Sequence, residues 1–337
     1  MSFKRFDPED IALSAESVVA PAWSNQVTQL TTNIVSGSQA NLASADYYYS
    51  MYSQGTQGNG SGDVQFAVAY GNRKGSGSAN FSTSEVGKSP SSVIYGQYRT
   101  LINGDEDTDF SFGSGTPTPD SIYVISVNRG RFKEKLLPGS FELTIGSGSR
   151  AIKLIDNSTA LTTISYVDAG RVYDIVSGSL AGGIVSNPTF TAASGSYGKM
   201  YPDIGVFVFN ANALKDAGSG ILLNVSESSN SNGNNINTFA TAIVSGSNFS
   251  LRSEETITSN YVFVRVRNSE FNYSTNPSNI TGSGELRHNV MVNTPQAYMT
   301  AVGLYNDNND LLGVAKLSKP LLKDFTKEAL IRIKLDF

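Results

Sequence analysis

Tyr298-Met-Thr-Ala-Val-Gly-Leu-Tyr305, Asn306-Asp-Asn-Asn-Asp310 and Leu311-Leu-Gly-Val-Ala-Lys-Leu317 follow one another near the end of the chain. The two flanking runs are rich in β-formers. The Asn/Asp cluster between them tolerates left-handed backbone and bonds its own main chain. Two such runs around such a cluster predict a β-hairpin with a loop of about three to five residues. Ser318-Lys-Pro320 and a short polar stretch lead to Ala329-Leu-Ile-Arg-Ile-Lys-Leu-Asp-Phe337. Ala329, Ile331, Ile333, Leu335 and Phe337 alternate with Leu330, Arg332, Lys334 and Asp336, so one face is apolar and the other polar. This predicts a closing strand that completes a sheet, held down at its end by Phe337.

The rest of the chain agrees with a β-rich fold. Among its 337 residues are 32 Gly, 16 Tyr and 17 Phe but one Trp, with abundant Ser and Asn, a composition of strands and turns. Val64–Tyr70, Ile122–Val127, Phe141–Ile145, Ala151–Ile155 and Tyr261–Arg267 read as strands, the third and fourth paired about a Gly-Ser loop. Ile204-Gly-Val-Phe-Val-Phe209 is nearly all apolar and is expected at the centre of a sheet. Ser89-Pro90 opens the clearest helix, with Ile94, Tyr98, Leu101 and Ile102 on one face and Gly104 as its stop. One helical turn is expected over Asn210–Leu214, a compact aromatic turn over Glu270–Pro277, and exposed loops at 55–62 and 226–237. Ile-Val-Ser-Gly-Ser recurs at 34–38, 175–179 and 243–247 without a fixed period, and reads as a strand-to-turn ending. The expected fold class is mainly β, with sandwich-like sheets and one or two short helices. The expected regions are an extended N-terminal arm at 1–40, a β-rich region with the helix at 41–155, and a second at 156–337. In the arm, Phe3, Phe6 and Trp23 sit in an extended, Pro-interrupted segment that lies either along its own domain or along a neighbouring subunit.

Composition and motifs exclude several function classes. With no Cys, disulfides, thiolate metal sites and Cys nucleophiles are out; one His leaves no ordinary zinc site and little acid–base chemistry. A net charge of −4 and 16% charged residues argue against nucleic acid as a partner. The first residues carry charge and no apolar core, unlike a secretory signal, and no run of 18 apolar residues predicts a membrane helix. Gly87-Lys88-Ser89 has Ser82, not Gly, at the position a phosphate-binding loop requires. Asp105, Asp107 and Asp109 start like a calcium loop, but Phe110 and Thr116 stand where Gly and Glu belong, so a solvated acidic turn is expected. His288 reads as a surface residue. Arg129, Arg131, Lys133 and Lys135 form an alternating basic set, read as a subunit contact or a solvated strand face.

Several blocks in this order also carry a family resemblance. They are Ala69-Tyr-Gly-Asn-Arg-Lys-Gly-Ser-Gly-Ser78, Val93-Ile-Tyr-Gly-Gln-Tyr-Arg99 and Asn128-Arg-Gly-Arg-Phe-Lys-Glu-Lys-Leu-Leu-Pro-Gly139. Tyr201-Pro-Asp-Ile-Gly205, Glu270-Phe-Asn-Tyr-Ser-Thr-Asn-Pro277, Val302-Gly-Leu-Tyr-Asn-Asp307 and the C-terminal hairpin and strand complete the set. Together they resemble virion structural proteins of myovirus-type tailed phages, including those of cyanobacteria; the Gly/Ser-rich inserts are the main departure. The resemblance implies a particle component made in the host cytoplasm and resident in the virion, not an enzyme, with no cofactor. Its partners would be other virion proteins and copies of itself. A place in the tail or baseplate is expected first, a head-decoration or neck/collar role second, and a fibre domain that binds or cleaves host glycans third. The expected assembly contacts are Phe3, Phe6, Trp23, Arg129, Arg131, Lys133 and Lys135, and removal of residues 1–25 is expected to leave a folded chain that fails to enter particles.

Overall fold

The computed structural model describes residues 3–30, 34–38, 48–53, 62–78, 88–146, 151–185, 195–215, 225 and 234–336. The expected loop at 55–61, residues 226–233 of the second loop, and Phe337 lie outside them. The chain is mainly β. Its first half holds β1 (Ile11–Pro21), β2 (Gln29–Leu30), β3 (Ile34–Ser38), β4 (Tyr48–Ser53), β5 (Asp63–Asn72), α1 (Pro90–Asn103), β6 (Ser121–Val127), β7 (Lys135–Leu136), β8 (Glu142–Ile145) and β9 (Ile152–Asp156). There follow β10 (Ser165–Val167), β11 (Gly170–Ser179), β12 (Gly183–Ile184), β13 (Gly198–Tyr201), β14 (Val206–Asn210), α2 (Ala211–Lys215) and α3 (Asn234–Gly246). The last are β15 (Phe249–Ser250), β16 (Arg252–Val266), α4 (Val290–Asn293), β17 (Gln296–Tyr305), β18 (Leu311–Asp324) and β19 (Ala329–Asp336). Two compact units result: residues 18–255, and residues 1–17 together with 256–337. The boundaries expected near 40 and 155 both fall inside the 18–255 unit. Only β1 and β16 run from one unit into the other.

The 18–255 unit is built on one antiparallel sheet in the order β2-β15-β8-β9-β11-β13-β14-β6-β5-β4-β3, with β10 and β12 paired to β11. The paired strands expected at 141–145 and 151–155 are β8 and β9, matched Glu142↔Ile155 to Ile145↔Ile152. The apolar run at 206–209 is central, with β14 between β13 and β6. Both of its faces are covered, which is why it reads as continuous rather than alternating. Val206 and Val208, with Ile122 and Val124 of β6, pack with Ile94, Tyr95 and Ile102 of α1. Phe207 and Phe209, with Tyr123 and Ile125, point the other way, toward Phe239 and Ile243 of α3. Tyr123 and Phe239 stack with centroids 4.6 Å apart, and Phe141 lies 4.7 Å from Phe207.

Two details of the helices differ from expectation. In α1 the buried face is Ile94, Tyr95 and Ile102, with Tyr98 half-buried, whereas Leu101 is exposed. At about 100° per residue Leu101 falls on the flank of a stripe centred on Tyr95 and Ile102. Gly104 ends the helix as expected, at φ 74°, its N–H donating to Thr100 O. The second difference is α3, which starts inside the stretch read as an exposed loop. Ile236, Phe239, Ala240 and Ile243 carry its buried stripe, and its final Ile243–Ser247 is the third copy of Ile-Val-Ser-Gly-Ser. That string is therefore strand in β3, strand in β11 and helix end here. At Gly246 a Cβ would lie 1.9 Å from Thr144 O, so only glycine lets α3 come this close to β8.

The other unit is a small two-layer β structure. One layer holds β1, β16 and β19, with β16 and β19 in register from Ser259↔Asp336 to Val266↔Ala329. The other is the expected hairpin β17–β18, whose loop is closed by Asn306 N–H to Asp310 O and by Asn309 at φ 66°. Val262, Ile331 and Ile333 are buried against Met299, Val302, Leu304, Ala315 and Leu317. The alternation of β19 holds residue by residue, but it pairs with β16 and not with the hairpin. β18 also runs past Leu317 to Asp324. Opposite Thr300 the residues Leu317 to Pro320 form a wide irregularity, and that is where a proline fits a strand. Lys323 is 1% exposed, and its ammonium donates to Asn268 O, Asn272 Oδ1 and Asp324 O at 2.9, 2.6 and 2.9 Å. A buried cation is tolerable because all three of its protons have acceptors. It fastens the expected aromatic turn, in which Phe271 takes φ 53°.

Candidate assembly surface

Exposed large apolar side chains are unevenly spread along the chain. In the unit of residues 1–17 and 256–337, Tyr298, Leu311, Leu312, Val314 and Leu321 of the hairpin are exposed, as are Leu330 of β19 and Ile11 and Leu13 of β1. Leu312 reaches 71% and Val314 62%. The hairpin alternation explains most of this. Residues not facing the β16–β19 layer face outward, and the outward set includes Tyr298, Tyr305, Leu311 and Val314 beside polar Thr300, Lys316 and Lys319. Leu312 is exposed for a further reason: Tyr305 faces Leu311 and Leu304 faces Gly313, so Leu312 is the extra residue of a bulge. Tyr305 folds over Gly303, where a Cβ would meet the Tyr305 ring at 2.8 Å and Leu311 at 3.4 Å. Phe3 closes this cluster edge-on, its ring 5.2 Å from that of Tyr305.

The residues singled out from the sequence fall into three situations. Phe3 and Phe6 are surface residues, with Phe3 57% exposed while seated on Tyr305. Trp23 is the reverse: it is 2% exposed, donates Nε1–H to Phe249 O at 2.9 Å, and packs on Phe249 and Phe66 at 4.7 and 5.9 Å. It is a core residue of the 18–255 unit and not an outward contact. The segment expected as an arm accordingly supplies β1, β2 and β3. Loss of residues 1–25 would remove β1 and Trp23, so the truncation is expected to unfold rather than to leave an intact chain.

The basic set has partners within the 18–255 unit. The Arg129 guanidinium sits 4.6 Å over the Phe132 ring and bonds Phe132 O; Arg131 lies 3.7 Å from Asp63. Lys133 reaches Glu255 at 2.6 Å, and Lys135 lies 3.6 Å from Glu134 and 3.9 Å from Glu254. The first two flank a short 3-10 turn after β6, and the last two stand at β7, so the alternation does not mark one strand face.

The largest charged cluster among the described residues is internally paired. Asp109 and Asp120 are bridged by Arg73; Lys74 lies 2.7 Å from Asp120, Arg99 3.5 Å from Asp109, and Tyr95 donates to Asp109 at 3.2 Å. Burial pushes Asp120 up, but Lys74 and Arg73 outweigh it and hold it below the usual carboxylate range. Burial, aided by Asp109, raises Tyr95 to about 12. Both carboxylates are paired to cations, which suits a brace between α1, β5 and β6. Asp105 caps its own turn through Asp107 N, Thr108 N and Thr108 Oγ1, the solvated acidic turn expected. A cleft of about 310 Å³ lined by Thr28, Leu137, Ser140, Leu180, Leu251 and Arg252 presents polar groups already bonded internally: Ser140 Oγ accepts from Arg252 N and donates to Leu137 O. His288 is exposed, and among the described residues no cluster of His, Asp and Glu could hold a metal. No helix among them is long and apolar enough to cross a membrane. No protein-family model, curated protein or solved structure matches the chain.

Of the residues singled out from the sequence, Phe3 belongs to this exposed cluster, whereas Leu312 and Val314 were not singled out. Val314 and Leu312 read as ordinary apolar residues of a strand. The one available signal was the Leu311-Leu312 pair, which breaks alternation beside an Asn/Asp turn and so marks a bulge.

Proposed function

We propose that this chain is a structural subunit of a tailed-phage virion, in the tail or baseplate, and that it works by protein–protein assembly and not by catalysis. The observation that carries the assembly reading is the outward apolar set of the hairpin, Tyr298, Leu311, Leu312 and Val314. Surfaces of this kind mark places where another protein packs. The virion assignment rests on the ordered sequence blocks, of which Asn128–Gly139 and Val302–Asp307 are the most distinctive. An exposed pair such as Tyr298 and Val314 would sit at the centre of such a contact, with Lys316 and Lys319 at its rim.

Antibody labelling of intact particles, imaged by electron microscopy, tests the proposal. Label at the tail end is the expected result. Label over the head or neck would replace the tail reading with a decoration or collar role. Absence of label from every particle would overturn the virion reading.

A further inference from the structure

Every open sheet has edges, and a bare edge is a template for another strand. The chain blunts most of its edges. In the layer β1-β16-β19, β19 carries Arg332, Lys334 and Asp336, and β1 carries Glu16 and ends on Pro21. In the large sheet, β2 has two residues and β3 five. On the hairpin, β18 carries Lys316, Lys319, Pro320 and Asp324, and its ladder is broken over Leu317–Pro320. Such charges, prolines and irregularities are the devices that keep edges from pairing.

β17 carries no charge and no proline, and the extra residues of both irregularities lie on β18. Gln296-Ala-Tyr-Met-Thr-Ala-Val-Gly-Leu-Tyr305 is ten residues long, without a charge or a proline, and among the described residues it pairs only with β18. It is the longest described edge left in that state. The asymmetry within one hairpin, one edge blocked and the other bare, is what a strand with a partner shows.

Self-pairing suits this strand. A twofold axis normal to the sheet sets residues of like face opposite one another, so identical charges on an edge strand would be brought together. β17 brings none. With the axis at Gly303 the pairing spans Ala301–Tyr305: Val302 lies opposite Leu304 of the second copy, both on the inward face, and exposed Ala301 lies opposite exposed Tyr305. Each large side chain then meets a smaller one, and the two glycines meet at the centre. We propose that the free edge of β17 pairs antiparallel with β17 of a second copy of this chain, so that two hairpins form one four-stranded sheet. The inference rests on the assembly reading above and names its first partner.

The test uses the full chain. Sedimentation over a concentration series to about 100 μM catches any pairing with Kd at or below that value. The wild type is expected to dimerise, with amide protection in Ala301–Tyr305 rising as the dimer fills. Gly303→Glu and Gly303→Lys each place like charges face to face, and each is expected to weaken the dimer by at least about tenfold. An equal mixture of the two is expected to recover it as a mixed dimer. Melting curves establish that each variant folds; where one does not, the concentration-dependent protection of β17 in the wild type decides alone. A wild type that stays monomeric, a dimer with unprotected β17 amides, or a dimer that G303E leaves unchanged overturns the proposal. A dimer with no label on particles overturns the virion reading and leaves β17 pairing standing, and a labelled particle built from monomeric chains does the reverse.

Discussion

Replacing Trp23 by alanine separates a core residue from a contact residue. The indole is 2% exposed, its N–H meets Phe249 O, and its ring touches two phenylalanines. Truncating a buried Trp costs about 3–5 kcal/mol through lost burial and the cavity left behind, and the abandoned Phe249 carbonyl adds about 1 kcal/mol. Taking about 5 kcal/mol in total, and about 2–4 °C per kcal/mol for a unit of this size, the melting midpoint of the 18–255 unit falls by about 10–20 °C. Trp23→Phe keeps most of the ring and loses the hydrogen bond, so its fall is expected to be a third of that or less. Circular dichroism melts of the three chains supply the numbers. Because Trp23 is the one tryptophan, wild-type emission reports on this site alone, and it is expected to be blue-shifted and resistant to acrylamide. A Trp23→Ala midpoint within about 2 °C of wild type, or a freely quenched indole, would refute the burial argument.

Two further outcomes follow from buried polar groups. Tyr123 is fully buried and its hydroxyl has no hydrogen-bond partner among the described residues, with burial and Tyr70 raising its pKa; Tyr123→Phe is therefore expected to leave stability unchanged or raise it by about 1 kcal/mol, and a loss above about 1 kcal/mol in urea titrations would mean the hydroxyl is bonded. Burial raises Asp203, but bonds from the Arg171 guanidinium and amide overcome that and hold its pKa below the ordinary value. A depressed carboxylate stabilises the fold above its unfolded pKa of about 3.9 and loses that contribution as pH falls through the lower folded value. Asp203→Asn should accordingly cost about 1–2 kcal/mol at pH 7 and progressively less below pH 4, and a cost independent of pH would show that the charge is not what matters.

Where one physical effect dominated, the sequence was easy to read. The 2-residue period of Ala329–Asp336 and the Asn/Asp cluster at 306–310 set β19 and the hairpin, and Ser89-Pro90 with Gly104 set both ends of α1. Reading failed where local composition and tertiary burial disagreed. The Ser/Asn run before α3 masked a helix whose stripe, Ile236, Phe239, Ala240 and Ile243, was present but started among loop-type residues. Strand partners were not legible either: nothing local says that β19 pairs with β16 and not with the hairpin preceding it. The outward apolar face of the hairpin was legible least. Charge and aromaticity drew attention to Arg129–Lys135 and Trp23, which serve ion pairs and core packing, while an outward apolar residue such as Val314 has the same sequence signature as an inward one.

The unit that bears the exposed hairpin is split in the chain, with residues 18–255 standing between its two parts. This imposes an order on synthesis. The 18–255 unit has all of its residues before any of 256–337 is made, and at about 5–20 residues per second the remainder takes roughly 4–16 s. Throughout that interval β1 waits without β16 complete and without β19. The apolar hairpin therefore emerges only on chains whose larger unit has already had time to fold. A nascent or arrested chain lacks the surface proposed here for joining other subunits, so the order of the two units along the chain keeps that surface off incomplete chains.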